Sequence, residues 1–332
     1  MLLQTEEARA LRALHIGGYW RGENDIVREM MLGLQSAGPT VLEYNTDTHP
    51  EALDTDGLPY YRGVNGPVWL RTEHLRPIID AFEPDLIVCN AGGLSFRPHY
   101  ADELRQRLCL VGISLSDPDV YEPTTSRIAA NFDLYLTISE DCVPRYRAMG
   151  INAHHCPPGV HEKIFRPHAP RPEHACEVLI FGSGHANRIE RVRALFANFD
   201  THVHGEGWEI HGIPDRGMVS GEEALDVLTS ARITVVFGAT AGGHFIVKPY
   251  LFDHAAAGAL VATDYFPPVE RYFTFGKEII GFGSTEDMVR KLRYYLDRPE
   301  EAERIRRAGH DRVLREHTWT KVWPKLIALA HG

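Results

Sequence analysis

Several features are missing from this 332-residue chain, and each absence removes a class of function. No run of about 20 apolar residues occurs, so no membrane-spanning helix is expected. The N-terminus carries Glu6 and Glu7 where a secretory leader would place a positive and then an apolar region, so the expected location is the cytoplasm. There is no CxxC pair. The five cysteines, Cys89, Cys109, Cys142, Cys156 and Cys176, are odd in number, which fits reduced, mostly buried thiols and not a disulfide framework or a zinc knuckle. Eighteen histidines are present, yet the tightest groups, "HHC" at 154–156 and "HVH" at 202–204, lack the spacing that puts metal ligands on one face. No metal is expected. Positive charge is also short. A net charge of −10 repels a phosphate backbone, and the basic runs "RVRAL" and "RIRRAGHDRVLREH" read as solvated helix faces, so no nucleic-acid partner is expected. Neither GxxxxGK[ST] nor a GxGxxG after a strand occurs, which leaves a dinucleotide-dependent oxidoreductase without support.

What is present is alternation. "ALHIGGYW" (13–20) is an apolar run entering a glycine pair, and "NDIVREMMLGLQSAG" follows with helical spacing, closed by Gly38. Further strands are expected at "PTVLEYN", "LIVCNAGG", "CLVGISLSDPD" and "FDLYLTIS", with helices at "LRPIIDAFEPD" and "EDCVPRYRAMG". A Pro-rich stretch, "CPPGVHEKIFRPHAPRPEHA", then marks a linker. Beyond it the pattern repeats. Strands are expected at "EVLIFGSG", "THVHGEGW", "RITVVFG" and "LVATD", and helices at "ANRIERVRALFANF", "SGEEALDVLTSA" and "PYLFDHAAAGA". Two more helices lie within 284–317, with Thr285 and Asp297 near their starts. Strands alternating with helices imply parallel sheets covered on both faces. The expected organisation is α/β: a Rossmann-like domain over 1–160, a linker over 161–174, a second Rossmann-like domain over 175–316 and a closing helix over 317–332. Two doubly wound halves leave a central cleft, with functional groups on the turns after the strands.

Those turns supply the candidates. "VVFGATAGGHFIVKP" sets glycines between a strand and a helix. Gly242 and Gly243 would let backbone N–H groups approach a phosphate, the helix N-terminus adds partial positive charge, and Lys248 adds a full one. The other reading is a loop with a surface lysine. Asp253, in the following helix, is placed to hydrogen-bond ribose hydroxyls or is an exposed helix residue. "FGSGHANR" offers a second turn, with Gly182, Ser183 and Arg188, whose guanidinium would grip a phosphate in two-pronged fashion or lie on a helix surface. In the first half, Gly17, Gly18, Tyr19 and Trp20 form the first turn, and the two aromatics would stack on an acceptor or simply pack. Asp117, in "SLSDPD", is a general base for an acceptor hydroxyl or a turn cap before Pro118. Gly92, Gly93 and His99 are further candidates for the same cleft.

The second half resembles the CgeB-like, spore-maturation group of glycosyltransferases, within the GT-B class related to family 4. "LIFGSGHANRIERV", "VHGEGW", "VKPYLFDHAAAGALVATDY", the long segment ending "RVLREHTW" and, earlier, "CPPGVHEKIFRP" carry the resemblance, chiefly over residues 130–325. It implies two Rossmann-like domains, with a nucleotide-sugar donor held mainly by the second. It also implies that Lys248 and Arg188 face the donor pyrophosphate, that Gly242, Gly243 and His244 form the phosphate loop, and that Asp253 holds the ribose where the family usually has Glu. Related enzymes often carry a Glu eight residues before that acidic position, and this chain has Phe245 there. Such enzymes need no bound metal or further cofactor. The expected donor is a UDP-, TDP- or GDP-linked sugar, and the acceptor a soluble small molecule or saccharide. The last helix would pack on the first domain, with Trp319 and Trp323 as glue. The competing readings are a sugar-nucleotide epimerase and a non-catalytic binding protein of the same fold. Transfer of a sugar to any acceptor separates the glycosyltransferase from the epimerase, and nucleotide binding without hydrolysis or transfer marks the binding protein.

Overall fold

A computed structural model of the chain describes residues 11–19, 22–57, 66–90 and 93–330; residues 1–10, Trp20 and Gly92 lie outside these. Contacts divide the chain into two units. The first holds the described residues up to 19, Asp25–Pro157 and the residues from Trp319 onward, and the second holds 22–24 and Pro158–Thr318.

The strands of the first unit are β1 (Arg12–Gly17), β2 (Thr40–Asn45), β3 (Leu53–Asp54), β4 (Val68–Leu70), β5 (Leu86–Asn90), β6 (Leu94–Phe96), β7 (Cys109–Ser114), β8 (Leu134–Thr137) and β9 (Ala153–His155). Six of them form a parallel sheet in the order β2-β1-β5-β7-β8-β9, and β3, β4 and β6 make a small separate sheet. Every residue of β5 and β8 is buried, as expected of strands covered on both faces. Among the helices that accompany them are α1 (Ile26–Ser36), α2 (Thr72–Phe82), α3 (Pro98–Arg105) and α4 (Cys142–Ala148). Helix α1 starts where Asp25 caps it, its Oδ1 accepting from the Val27 N–H at 2.9 Å.

The second unit contains β10 (Cys176–Phe181), α5 (Ile189–Asn198), β11 (Thr201–His204), α6 (Gly221–Ser230), β12 (Ala231–Val236), α7 (Tyr250–Ala256), β13 (Val261–Asp264), β14 (Ile280–Phe282), α8 (Thr285–Leu296) and α9 (Pro299–Glu316). Its parallel sheet has the order β11-β10-β12-β13-β14. The chain runs outward from β10 to β11, then crosses back to β12 on the other side. That reversal makes a crevice between β10 and β12 at the carboxyl ends of the strands, the usual ligand position in such sheets.

Two boundaries differ from the sequence expectation, and the placing of the last helix follows it. The Pro-rich stretch is not a free linker but part of the second unit. Val160 is fully buried, its N–H bonded to the His317 carbonyl at 2.9 Å, and His168 is clamped between Glu222 at 3.0 Å and Asp226 at 2.9 Å. Apolar and ionic anchors within it outweigh its prolines. Residues 22–24 also group with the second unit, where the Asn24 side chain accepts from the Gly221 N–H. That bond engages the first amide of α6, and the Ser220 side chain before it makes no cap bond. The last helix, α10 (Trp319–Ala330), belongs to the first unit. Its Trp323 indole donates to the Met30 carbonyl at 2.7 Å, and Trp319 covers Gly33, where an added Cβ would sit 2.1 Å from the Trp319 Cβ.

All five cysteines are free. Burial pushes the Cys142 thiol up to about 11 and that of Cys156 up to about 12, so these sulfurs are packing groups and not nucleophiles.

Candidate functional site

Strand β10 delivers Gly182–Gly184 to the switch point. Gly182 has φ +144°, and its carbonyl accepts from the buried Trp208 indole at 2.7 Å. A Cβ on Gly205 would lie 1.9 Å from that same carbonyl, so two backbone turns meet here with no room for side chains. Arg188 follows, and strand β12 leads into the segment that carries Lys248. Both cations line one cavity of about 100 Å³, together with Gly182, Ser183 and Phe237. The structure thus brings together Gly182, Ser183, Arg188 and Lys248, which lie up to 66 positions apart (248 − 182) in the sequence.

Arg188 does more than line the cavity. Its two terminal nitrogens donate to the Ser183 carbonyl at 2.9 Å and the Ala239 carbonyl at 2.8 Å. Its guanidinium is therefore engaged across the crevice, joining the turn after β10 to the turn after β12.

The loop expected to cradle phosphate has another geometry. Residues 239–245 form a small hairpin, with Ala239 bridged to Phe245. The N–H of Gly243 donates to the Thr240 carbonyl at 3.1 Å, and that of His244 to the Thr240 hydroxyl at 3.1 Å. Those amides are consumed inside the turn, and Gly242 through Phe245 are exposed and lie outside the lining of the cation cavity. Gly243 has φ +84°, a backbone region glycine adopts without strain. Asp253 also departs from expectation. Helix α7 is buried from Leu251 through Ala256, and Asp253 is 2% exposed and lines neither the cation cavity nor the slot beside it.

The same helix instead offers Tyr250 and His254. With Phe181 and His204 they wall an aromatic slot that shares Phe181, Gly182 and Tyr250 with the cation cavity. The Tyr250 and His254 rings lie 6.0 Å apart and nearly parallel. Phe181 stacks on His204 at 6.5 Å and meets His254 edge-on at 5.6 Å. Burial lowers the His204 pKa below the usual imidazole range, partly offset by its bond to the Gly217 backbone. Sequence reasoning missed these four residues. "HVH" was weighed only as a metal cluster, and nothing in local spacing shows that 181, 204, 250 and 254 converge.

The first-unit candidates serve packing. Asp117 is fully buried. Its carboxylate accepts from Thr125 at 2.7 Å, Thr137 at 2.7 Å and Tyr146 at 2.8 Å. A carboxylate saturated by three hydroxyls and shut from solvent is not a base for an acceptor; it holds strands and helices of its own unit together. A Cβ on Gly17 would lie 2.5 Å from Val27 and 2.6 Å from the Asn90 carbonyl, and one on Gly18 would lie 2.7 Å from Asp47. The Tyr19 N–H donates to Asp47 at 2.6 Å, while burial and the nearby Glu43 raise its phenol pKa. Asp47 therefore occupies the space an acceptor contact at Gly18 and the Tyr19 backbone would need. His99 is exposed on α3, and the described member of its glycine pair, Gly93, is buried. Among the described residues no group of three or more His, Cys, Asp or Glu side chains is arranged to hold a metal ion, and no helix is long and apolar enough to cross a membrane.

Comparison with known proteins agrees with this layout. A family model described as glycosyl transferase-like matches residues 186–328. Spore protein CgeB of Bacillus subtilis (strain 168) is 24% identical over 276 residues, covering 76% of this chain and 84% of that protein. Among solved structures, sucrose-phosphate synthase from Thermosynechococcus elongatus superposes with a TM-score of 0.65 at 14% identity, over 96% of this chain and 98% of that one. Anabaena Alr3699/HepE, solved in complex with UDP and glucose, gives 0.60 at 9% identity, over 96% and 98%. The chain has the GT-B fold, and its residues 186–328 resemble the glycosyl transferase-like family.

Proposed function

We propose that this protein transfers a sugar from a nucleoside diphosphate to a soluble small-molecule or saccharide acceptor. One observation carries the reading: Arg188 and Lys248, from two different turns, line one cavity at the switch point of a parallel sheet in an acidic protein. The diphosphate lies beside these cations and the base enters the adjoining aromatic slot, where stacking on rings contributes roughly 1–3 kcal/mol. HepE, a structural neighbour, was solved with UDP and glucose, which favours a uridine nucleotide here.

In the reaction an acceptor hydroxyl attacks the anomeric carbon, the bond from that carbon to the diphosphate oxygen breaks, and the hydroxyl proton leaves to a base. Negative charge grows on the departing diphosphate, and preformed cations aimed there lower the barrier. Lys248 is the point charge. Arg188 lines the same cavity while its terminal nitrogens brace the two turns. Asp117 is not the base, for the reason given above. Phe245, exposed on the hairpin opposite Ala239, offers a ring face to the sugar. The donor is the only small molecule the reading requires besides the acceptor, and the five unpaired thiols suit a cytoplasmic setting.

The test is a thermal-shift and calorimetric titration with UDP, TDP and GDP, repeated on Lys248→Ala. One diphosphate is expected to raise Tm, and Lys248→Ala to weaken it about 10- to 100-fold, as expected for a lost charged hydrogen bond. No shift with any nucleoside diphosphate, or equal binding by the variant, would overturn the reading.

A further inference from the structure

Four consecutive residues after β12, Phe237 through Thr240, are each met by the segment that opens α5 or by its partner Asp264. The Asn187 amide donates to the Thr240 carbonyl at 2.7 Å. Arg188 donates to the Ala239 carbonyl at 2.8 Å. Asp264, at the end of β13, accepts from the Gly238 N–H at 2.8 Å through one oxygen and from Arg191 through the other. The Arg188 and Arg191 guanidinium carbons lie 6.0 and 5.9 Å from the Phe237 ring centre. Asp264 is nearly buried, so its charge is held by Arg191 and the Gly238 amide together.

We infer that Asn187, Arg191 and Asp264 are positioning residues for the diphosphate grip: they staple the turn 237–240 so that Lys248 stands in the cation cavity. The connection runs through backbone hydrogen bonds. The stapled Gly238 carbonyl accepts from the Ile246 N–H at 3.2 Å, and Thr240 pairs with His244 at 2.7 Å, so fixing 238–240 fixes the hairpin's far strand. Ile246 and Val247 are buried, and Lys248 follows them directly. None of the three staple side chains lines the cavity. Their effect on a ligand passes through Lys248 and Arg188. This arrangement also assigns Arg188 two tasks, bracing the two turns and facing the cavity, and gives the chain a way to hold both cations at one spot without a glycine-rich phosphate loop.

The inference rests on the cavity being the diphosphate site, and the experiment separates the two. UDP and inorganic pyrophosphate are titrated by calorimetry, and uridine by ligand-observed NMR, into wild type, Asn187→Ala, Arg191→Ala and Arg191→Lys. Asn187 is exposed, so Asn187→Ala is expected to fold. Binding of UDP and pyrophosphate should weaken about 5-fold in Asn187→Ala, the loss of one hydrogen bond. It should weaken further in Arg191→Ala and recover in part in Arg191→Lys, while uridine binds every variant as it binds wild type. Unchanged UDP affinity in Asn187→Ala and Arg191→Ala overturns the staple, and so does an equal loss for uridine, which marks general damage to the unit. If wild type binds neither UDP nor pyrophosphate, the diphosphate reading itself falls and takes the staple with it.

Discussion

Each unit has a glycine turn after its first sheet strand, and the two turns carry opposite charge. After β1, Gly18 and the Tyr19 amide close on the Asp47 carboxylate. After β10, Gly182 and Ser183 open on Arg188 and Lys248. Glycine at the strand end is common to both and decides only that backbones come close. The residues brought up by neighbouring segments decide which charge each turn presents. The buried acids differ too. In the first unit Asp117 is held by neutral hydroxyls, whereas in the second Asp264 is paired with an arginine. One network is internal scaffolding, and the other borders the candidate site.

Three experiments would break or sharpen this contrast. The largest effect is expected from Asp117→Ala, which leaves three buried hydroxyls without their acceptor and should destabilise the first unit by about 3–5 kcal/mol. Denaturant unfolding measures that loss. Diphosphate affinity at a temperature where the variant is folded should stay at the wild-type value, and a parallel loss of affinity would show that the two networks are not separate. Next comes acid. His15 is fully buried on β1, and burial lowers its pKa from 6.5 to about 3. The unfolded chain then binds a proton that the native state refuses, so stability is complete above pH 6.5 and falls as pH drops toward 3. Between pH 7 and pH 5 the loss should be about 2 kcal/mol by linkage, read from urea midpoints, and His15→Asn should flatten that slope. The smallest effect is expected from Asp47→Asn. It keeps an acceptor for the Tyr19 amide and should change diphosphate affinity less than about 2-fold, since Asp47 belongs to the first unit and the candidate cations to the second. A large gain in affinity would mean the acidic turn opposes the ligand.

Much of the architecture was legible in the sequence because parallel strands announce themselves. Continuous apolar runs such as "LIVCN" and "RITVV", ending in glycine or polar turns and separated by helical spacing, became β5 and β12. Short or weakly patterned strands did not show: β3, β4 and β6 have two or three residues each, too few for a period. Within the site, Arg188 and Lys248 were legible as cations on turns, and the structure places both on one cavity. The partners of Arg188 were not, because backbone carbonyls carry no sequence signal. Asp117 shows the limit from the other side. Its residue type and its place at a strand end fit both a base and a buried hub, and only the three distant hydroxyls decide. The aromatic slot needed four residues from three separate strand-to-helix steps, a convergence set by sheet order and not by spacing.

Helix α10 gives the first unit a closing piece drawn from the far end of the chain. During synthesis the Gly33 face of α1 must wait, uncovered, until Trp319 and Trp323 emerge after more than 280 further residues. The half that is translated first is therefore the half that is completed last, and the ribosome finishes the second sheet before the first is sealed.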